Sequence, residues 1–135
     1  KLTKVVADLA KRKQPGAVTQ SLRAMWPQLG VSNDNAMLIT GATGAEPATT
    51  EERALLGQHP GLAVRATGTT FGHTMEAQFP LGLALAALSI SRGALYPAND
   101  PTGLEVEKTE APTQIVVLGV GHWQGEGMAL VEAVR

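Results

Sequence analysis

The amino-acid sequence predicts a layered α/β domain with a mixed sheet of about four or five strands and a buried central helix. Two patterns predict this class. Short apolar runs bounded by Gly, Asn or Pro alternate with segments of helical periodicity, and residues 81–90 are apolar on every helix face. The 135 residues, 44% of them hydrophobic, suffice for one core. Neither an internal repeat nor a linker divides residues 1–135.

The first third of the sequence predicts two helices and a strand. Residues 2–10 have an amphipathic helical pattern, which the Gln-Pro-Gly run at 14–16 interrupts. Residues 17–29 repeat apolar side chains at helical spacing up to Gly30, which predicts a helix that ends at a glycine. The short apolar run 36–39 predicts a buried strand followed by a Gly-rich loop.

Helical and extended patterns continue to alternate in the rest of the chain. Thr49 or Thr50 is expected to cap a helix that continues through Leu56, with Glu51 and Glu52 in its first turn. The remaining predicted elements are a strand at 62–66, the apolar helix at 81–90 closed by Gly93, an irregular loop at 96–113, and a hairpin with strands at 114–120 and 128–134.

One histidine lies where the chain enters the apolar helix. Gly72 and His73 end the preceding loop, and a Gly-His pair allows a tight turn that presents an imidazole beside the first free helical N–H groups. That setting suits an electrophilic hydrogen-bond donor, so His73 is the candidate catalytic residue. The alternative is a core histidine whose ring nitrogens bind backbone carbonyls.

Composition argues against several classes of function. A formal net charge of -1 gives no basic patch for nucleic acid, and no cationic amphipathic helix indicates a membrane surface. The longest apolar stretch is about half of the ~20 residues that span a bilayer. With no cysteine and three dispersed histidines, we expect no metal site. Gln124 stands where a dinucleotide fingerprint begun by Gly119 and Gly121 needs glycine, so we expect no cofactor.

Four motifs, in order, resemble the carboxy-terminal half of the β-ketoacyl-acyl-carrier-protein synthases, thiolase-fold condensing enzymes of fatty-acid and polyketide synthesis. The resemblance covers residues 16–135. The motifs are the loop 41–47 before an acidic helix, the loop 68–73 ending in Gly-His, the turn 95–99, and the Gly-rich carboxy-terminal hairpin. They imply a thiolase-like layered fold, of which this chain forms the carboxy-terminal half.

The resemblance also implies a catalytic site. In the family, two histidines of this half hydrogen-bond the malonyl thioester carbonyl as it becomes an enolate, and a cysteine of the other half holds the acyl chain. His73 matches one histidine. Ala42 stands at the position of the other histidine, and Gly68 stands at that of a lysine.

The aromatic gate motif of the family aligns with residues 120–124, which puts His122 at the gating position and Trp123 where the family has a small residue. The resemblance therefore makes Gly72, Thr43 and His122 the expected substrate-binding residues. Alternatively, His122 and Trp123 plug a surface hairpin, with the indole making one hydrogen bond.

Two functions fit these residues. The first is part of a β-ketoacyl-acyl-carrier-protein synthase, an acyltransferase, with His73 at the malonyl and acyl site and the nucleophile upstream. The second is a non-catalytic partner of the chain-length-factor type, which shapes the acyl tunnel of an active synthase. Ala42 and Gly68 favour the second function, so enzymatic activity stays an open question at this point.

The resemblance implies several partners. They are acyl-carrier-protein thioesters, the upstream half of the same protein, and a second subunit in a homo- or heterodimer, all in the cytoplasm. The sequence opens at Lys1 with no initiator methionine and no signal-peptide regions, which predicts that residues 1–135 are a fragment.

Overall fold

The computed structural model describes residues 1–32, 36–42 and 44–134, and in these ranges five strands form one mixed sheet. The strands are β1 (Leu2–Lys11), β2 (Ala36–Thr40), β3 (Ala63–Ala66), β4 (Gln114–Val120) and β5 (Gln124–Glu132). Their order across the sheet is β1-β5-β4-β2-β3. β2 runs parallel to β3 and β4, whereas β4, β5 and β1 are antiparallel neighbours. The predicted mixed α/β sheet is confirmed.

Helices cover both faces of this sheet. They are α1 (Ala17–Leu29), α2 (Ala48–Leu56) and α4 (Gln78–Arg92), whereas α3 (Gly68–Phe71) is a single turn after β3 with no buried residue. α1 and α2 share a core with Leu38 of β2, and α4 shares the opposite core with Met37 and Ile39. Because side chains alternate along a strand, the apolar run of β2 is buried on both sides, as predicted. α1 ends at Gly30, also as predicted, with φ 71°.

The prediction of a helix at residues 2–10 is wrong, because these residues form β1. β1 pairs with β5 from Leu2 opposite Val131 to Lys11 opposite Gln124. Its spacing of apolar residues suits a helix as well as a strand, and only the distant partner strand decides between them. Without β1, the outer edge of β5 would present unpaired backbone groups.

The predicted threonine cap of α2 is also wrong. The helix begins at Ala48 after Pro47, and no side chain caps it. The Thr49 hydroxyl instead accepts a hydrogen bond from the Gly44 amide at 3.1 Å. Thr49 is buried, so this bond ties the loop after β2 to the helix that follows it.

The carboxy-terminal hairpin is confirmed, with an earlier second strand. β5 begins at Gln124, before the predicted residue 128, because its first residues already pair with β1 and with the end of β4. α4 likewise begins at Gln78, before residue 81, and it ends at Gly93 as predicted.

α4 is apolar around its circumference, yet the described chain covers only one side of it. The buried positions are Gln78, Gly82, Ala86 and Ser89. On the other side Leu88 is 46% exposed. Gly82 allows a close approach to the sheet, since a Cβ atom there would lie 2.6 Å from Cγ1 of Val117 in β4.

The predicted irregular loop at 96–113 is confirmed, and a buried arginine holds it. The Arg65 guanidinium donates hydrogen bonds to the Tyr96 carbonyl at 2.6 Å and the Val106 carbonyl at 3.0 Å, and it pairs with the Glu107 carboxylate. The Val64 and Val106 backbones also exchange hydrogen bonds at 3.1 and 3.2 Å. The loop therefore packs along the outer edge of β3.

Candidate functional site

The carboxyl ends of β2, β3 and β4 lie at one edge of the sheet, because these three strands are parallel. Three segments follow them: the loop into α2, the segment from α3 to α4, and the hairpin turn between β4 and β5. The Gly41 amide donates to the Leu118 carbonyl at 3.2 Å, and the Thr67 amide donates to the Thr40 carbonyl at 3.0 Å. Crevices at such strand ends are common ligand sites in α/β sheets.

Two concave surfaces meet at this edge. A cavity of about 240 Å³ has walls from all three segments and from Arg12, which follows β1. We call it the polar cavity, because its lining includes Arg12, Glu46, Thr49 and Glu52. A groove of about 890 Å³, which we call the apolar groove, runs along β1 and the hairpin. The groove includes the apolar side chains of Val5, Leu9, Met75, Phe79 and Trp123. His73 and His122 border both surfaces.

His73 is exposed, so the alternative of a core histidine is wrong. Gly72 has φ 68°, which allows the tight turn that was predicted before the imidazole. Gln78, at the start of α4, is buried and anchors the same loop. Its side-chain oxygen accepts from the Thr74 amide at 3.1 Å and from the Thr74 hydroxyl at 3.0 Å, and its amide nitrogen donates to the Thr67 hydroxyl.

His122 and Trp123 occupy the tip of the hairpin beside His73. The rings of His73 and His122 have centroids 6.1 Å apart and are tilted by 44°. Trp123 is 83% exposed and meets His122 edge to face at 4.6 Å. Trp123 therefore does not fill the hairpin, and the interpretation of a plug is wrong for it.

Arg12 holds the hairpin tip in place. Its guanidinium donates to the His122 carbonyl at 3.1 Å and to the Gly121 carbonyl. It also pairs with the buried carboxylate of Glu126 at 2.8 Å. Arg12 is not predicted as a site residue from the sequence, because it lies in a cationic run, Lys11-Arg12-Lys13, that has the appearance of a solvated turn.

Of the other residues that the sequence associates with the site, some line the two concave surfaces and some do not. Ala42 is buried and lines the polar cavity, where its amide donates to the Thr40 hydroxyl at 3.2 Å. Gly72 lies in the His73 loop but is not part of either wall. Thr43 lies outside the described residues. Gly68 begins α3.

Glu52 is the second residue of the site that was not predicted from the sequence. Its side chain is buried against the polar cavity, and Oε1 accepts a hydrogen bond from the Thr40 hydroxyl at 2.7 Å. Burial raises the pKa of Glu52 to about 7, and the Thr40 bond and the Arg12 charge oppose that rise. Thr49, Glu52 and Leu55 recur at intervals of three, so they share the buried helix face. From that spacing in the sequence, the burial of Glu52 could have been predicted.

Within residues 1–32, 36–42 and 44–134, no group of three or more His, Cys, Asp or Glu side chains could hold a metal ion. No helix in the part of the chain that the structure describes is both long and apolar enough to cross a bilayer.

No family model and no curated protein matches the sequence, whereas solved structures match the fold. Ketosynthase twelve of the bacillaene polyketide synthase from Bacillus amyloliquefaciens has a TM-score of 0.75 at 14% identity and matches 97% of this chain. The oxazolomycin ketosynthase domain of Streptomyces albus has a TM-score of 0.69 at 16% identity and matches 98%. AntDE:AntF, a type II polyketide-synthase acyl-carrier protein in complex with its ketosynthase bound to the hexaketide, has a TM-score of 0.74 at 14% identity and matches 99%.

The fold is therefore the thiolase-like fold of ketosynthase domains, as the motifs predicted. The chain spans 29%, 44% and 38% of the lengths of these three structures, respectively. In each case the chain corresponds to less than half of the solved structure. At such low identity the likeness establishes the fold alone.

Proposed function

We propose that this chain is the carboxy-terminal half of a β-ketoacyl-acyl-carrier-protein synthase-like protein of fatty-acid or polyketide synthesis, and that His73 acts at its malonyl and acyl site. The observation that carries this proposal is the position of His73. In a ketosynthase-like fold, its exposed ring lies at the carboxyl ends of the parallel strands and borders both the polar cavity and the apolar groove.

The two surfaces suit the two parts of an acyl thioester. A fatty or polyketide chain needs an apolar channel, which the walls of the apolar groove offer. A thioester carbonyl needs a directed hydrogen-bond donor, which an imidazole N–H supplies. A thioester group beside His73 with its chain in the groove satisfies both needs.

His73 then acts in decarboxylation. The bond between the malonyl carboxylate and the methylene carbon breaks, CO₂ leaves, and the electron pair moves onto the thioester carbonyl to give an enolate. The His73 N–H donates to that oxygen, and this interaction strengthens as negative charge develops. The enolate carbon next attacks the carbonyl carbon of an acyl thioester, the C–S bond of that thioester breaks, and its sulfur leaves as the thiolate. The chain has no cysteine, so we assign the acyl-bearing nucleophile to the upstream half.

Ala42 favours a second candidate function. A methyl group cannot donate a hydrogen bond to the carbonyl, and the loss of one oxyanion donor costs on the order of 10²–10³ in rate in well-studied hydrolases. A partner of the chain-length-factor type, which shapes the acyl tunnel of an active synthase, tolerates that loss. The residue at the upstream nucleophile position distinguishes the two: cysteine supports the enzyme and its replacement supports the partner.

The first prediction concerns His73→Ala in the full-length protein. Malonyl-thioester decarboxylation, measured as CO₂ release, should fall by roughly 10²-fold or more because the carbonyl loses its donor. The melting temperature should stay nearly unchanged, because the ring is exposed.

His59→Ala is the matched control. His59 stacks on Trp26 at 4.1 Å and lines neither the polar cavity nor the apolar groove, so its removal should leave decarboxylation unchanged. Equal activity of the wild type and His73→Ala, with a loss of several degrees in melting temperature, would assign His73 a structural role instead.

A further inference from the structure

A chain of hydrogen bonds links Ala42 to a buried acid. The Ala42 amide donates to the Thr40 hydroxyl at 3.2 Å, and that hydroxyl donates to Oε1 of Glu52 at 2.7 Å. Both Ala42 and Glu52 line the polar cavity, on whose wall His73 also lies. The small side chain of Ala42 leaves room in the cavity where a larger residue would stand.

From this geometry we propose that the Glu52 carboxyl group is a second hydrogen-bond donor to the carbonyl oxygen of a thioester bound in the polar cavity. It acts beside His73 and takes the place that Ala42 leaves without a donor. This inference rests on the proposed function.

A carboxyl group donates only when it is protonated, and the surroundings of Glu52 favour that form. The side chain is 2% exposed, and burial raises its pKa to about 7. Because Thr40 donates to Oε1, we assign the acidic proton to Oε2. A buried carboxylic acid that stays neutral is a known kind of oxyanion donor.

The charged and titratable groups around the polar cavity are Arg12, Glu46, His73 and His122. Arg12 is already paired with Glu126 and with two hairpin carbonyls, so its charge only partly opposes protonation of Glu52. The proton remains on Glu52 throughout the step. The C–C electron pair of the malonyl group moves to the carbonyl oxygen, CO₂ leaves, and the resulting enolate oxygen is held by Glu52 and His73.

The test uses the full-length protein with an acyl-pantetheine thioester that carries ¹³C at its carbonyl. Isotope-edited infrared spectroscopy reports the carbonyl stretch, which shifts to lower frequency as hydrogen bonds to the oxygen strengthen. In the wild type the stretch should rise with pH around a midpoint of about 7. In Glu52→Ala it should be high at every pH. In Glu52→Gln the amide donates at every pH, so that midpoint should disappear and the stretch should stay low.

Glu110→Gln, at an exposed position outside the cavity, should match the wild type. Glu52→Gln preserves side-chain volume, so a folding defect in Glu52→Ala does not decide the outcome. A Glu52→Gln protein that keeps the wild-type midpoint overturns the inference. If the stretch responds to His73→Ala but not to either Glu52 variant, only this inference fails. If no thioester binds, the proposed function fails as well.

Discussion

At the scale of single residues, a carboxyl group buried beneath a cavity makes the stability of the fold depend on pH. The ordinary pKa of Glu52 is 4.5, and burial raises the folded value to about 7. Between these pH values the folded state holds a proton that the unfolded chain has lost. Stability from this group is therefore full below pH 4.5 and is lost as pH rises to about 7.

Glu52→Gln should remove this pH dependence. The free energy of unfolding of both proteins is measured with urea at pH 4, 6 and 8. At pH 8 the variant should be more stable than the wild type. The difference in stability between variant and wild type should be larger at pH 8 than at pH 4 by up to about 3 kcal/mol. Glu110→Gln is the control, since that side chain is exposed and lies outside the polar cavity. Unfolding free energies of the wild type and Glu52→Gln that run parallel across this range would contradict the prediction.

The sequence predicts His73 and misses Glu52 for one physical reason. A Gly-His pair ahead of a helix is a local feature, and Gly72 has a positive φ of 68°, which glycine adopts readily. The setting of Glu52 depends instead on Thr40, twelve positions earlier, and on Arg12 across the sheet edge. Two adjacent glutamates near a helix start are usually explained by the helix dipole, and nothing local distinguishes the buried one except its interval of three from Leu55.

At the scale of elements, the contact between α4 and β4 depends on a missing side chain. Gly82 faces Val117 so closely that a Cβ atom would lie 2.6 Å from Cγ1. Alanine favours a helix over glycine by about 1 kcal/mol, whereas overpacking a core costs about 1–3 kcal/mol. The steric cost should therefore exceed the gain in helix propensity.

Gly82→Ala should lower the free energy of unfolding by up to about 2 kcal/mol, measured with urea. Val117→Ala removes the atom that clashes, so the double variant should be more stable than the sum of the two single effects by at least about 0.5 kcal/mol. If the effects of the two single substitutions on the free energy of unfolding simply add in the double variant, α4 moves away from the sheet without cost.

Element type follows from sequence only where the determining contacts are local. α1, β2 and the hairpin carry their own periodicity and end signals, and these predictions are confirmed. β1 carries apolar residues that suit either structure, and its pairing with β5 joins residues more than a hundred positions apart. The neighbouring sequence of residues 2–10 therefore contains no information on β5, the strand that pairs with them.

At the scale of the whole molecule, the outer face of α4 is apolar and exposed. The described residues cover its inner face, and Leu88 is 46% exposed on the other. We expect the proposed upstream half of the protein to cover this face, since exposed apolar patches of more than a few hundred Å² are uncommon on stable monomers. The order of motifs predicted the fold even though identity to the solved ketosynthases is only 14–16%.

Residues 1–135 purified alone should consequently associate into dimers or larger species, detected by light scattering. The contact should include the flanks of His73 or the strand at 62–66. Leu88→Glu should shift the population toward monomer, because a carboxylate in an apolar contact costs desolvation energy, whereas Glu110→Gln should not. A monodisperse monomer for the unmodified chain would contradict the expectation.

The loop along β3 restricts how such copies can meet. Val64 already exchanges both of its outward backbone hydrogen bonds with Val106, and the Ala66 amide donates to the Glu105 carboxylate at 2.9 Å. The outer edge of β3 therefore has no run of unpaired backbone groups with which an incoming strand could pair. As long as Arg65 keeps the loop in place, an intermolecular β-sheet cannot extend from this edge. Any association there has to proceed through side chains, which favours a finite complex over a fibre.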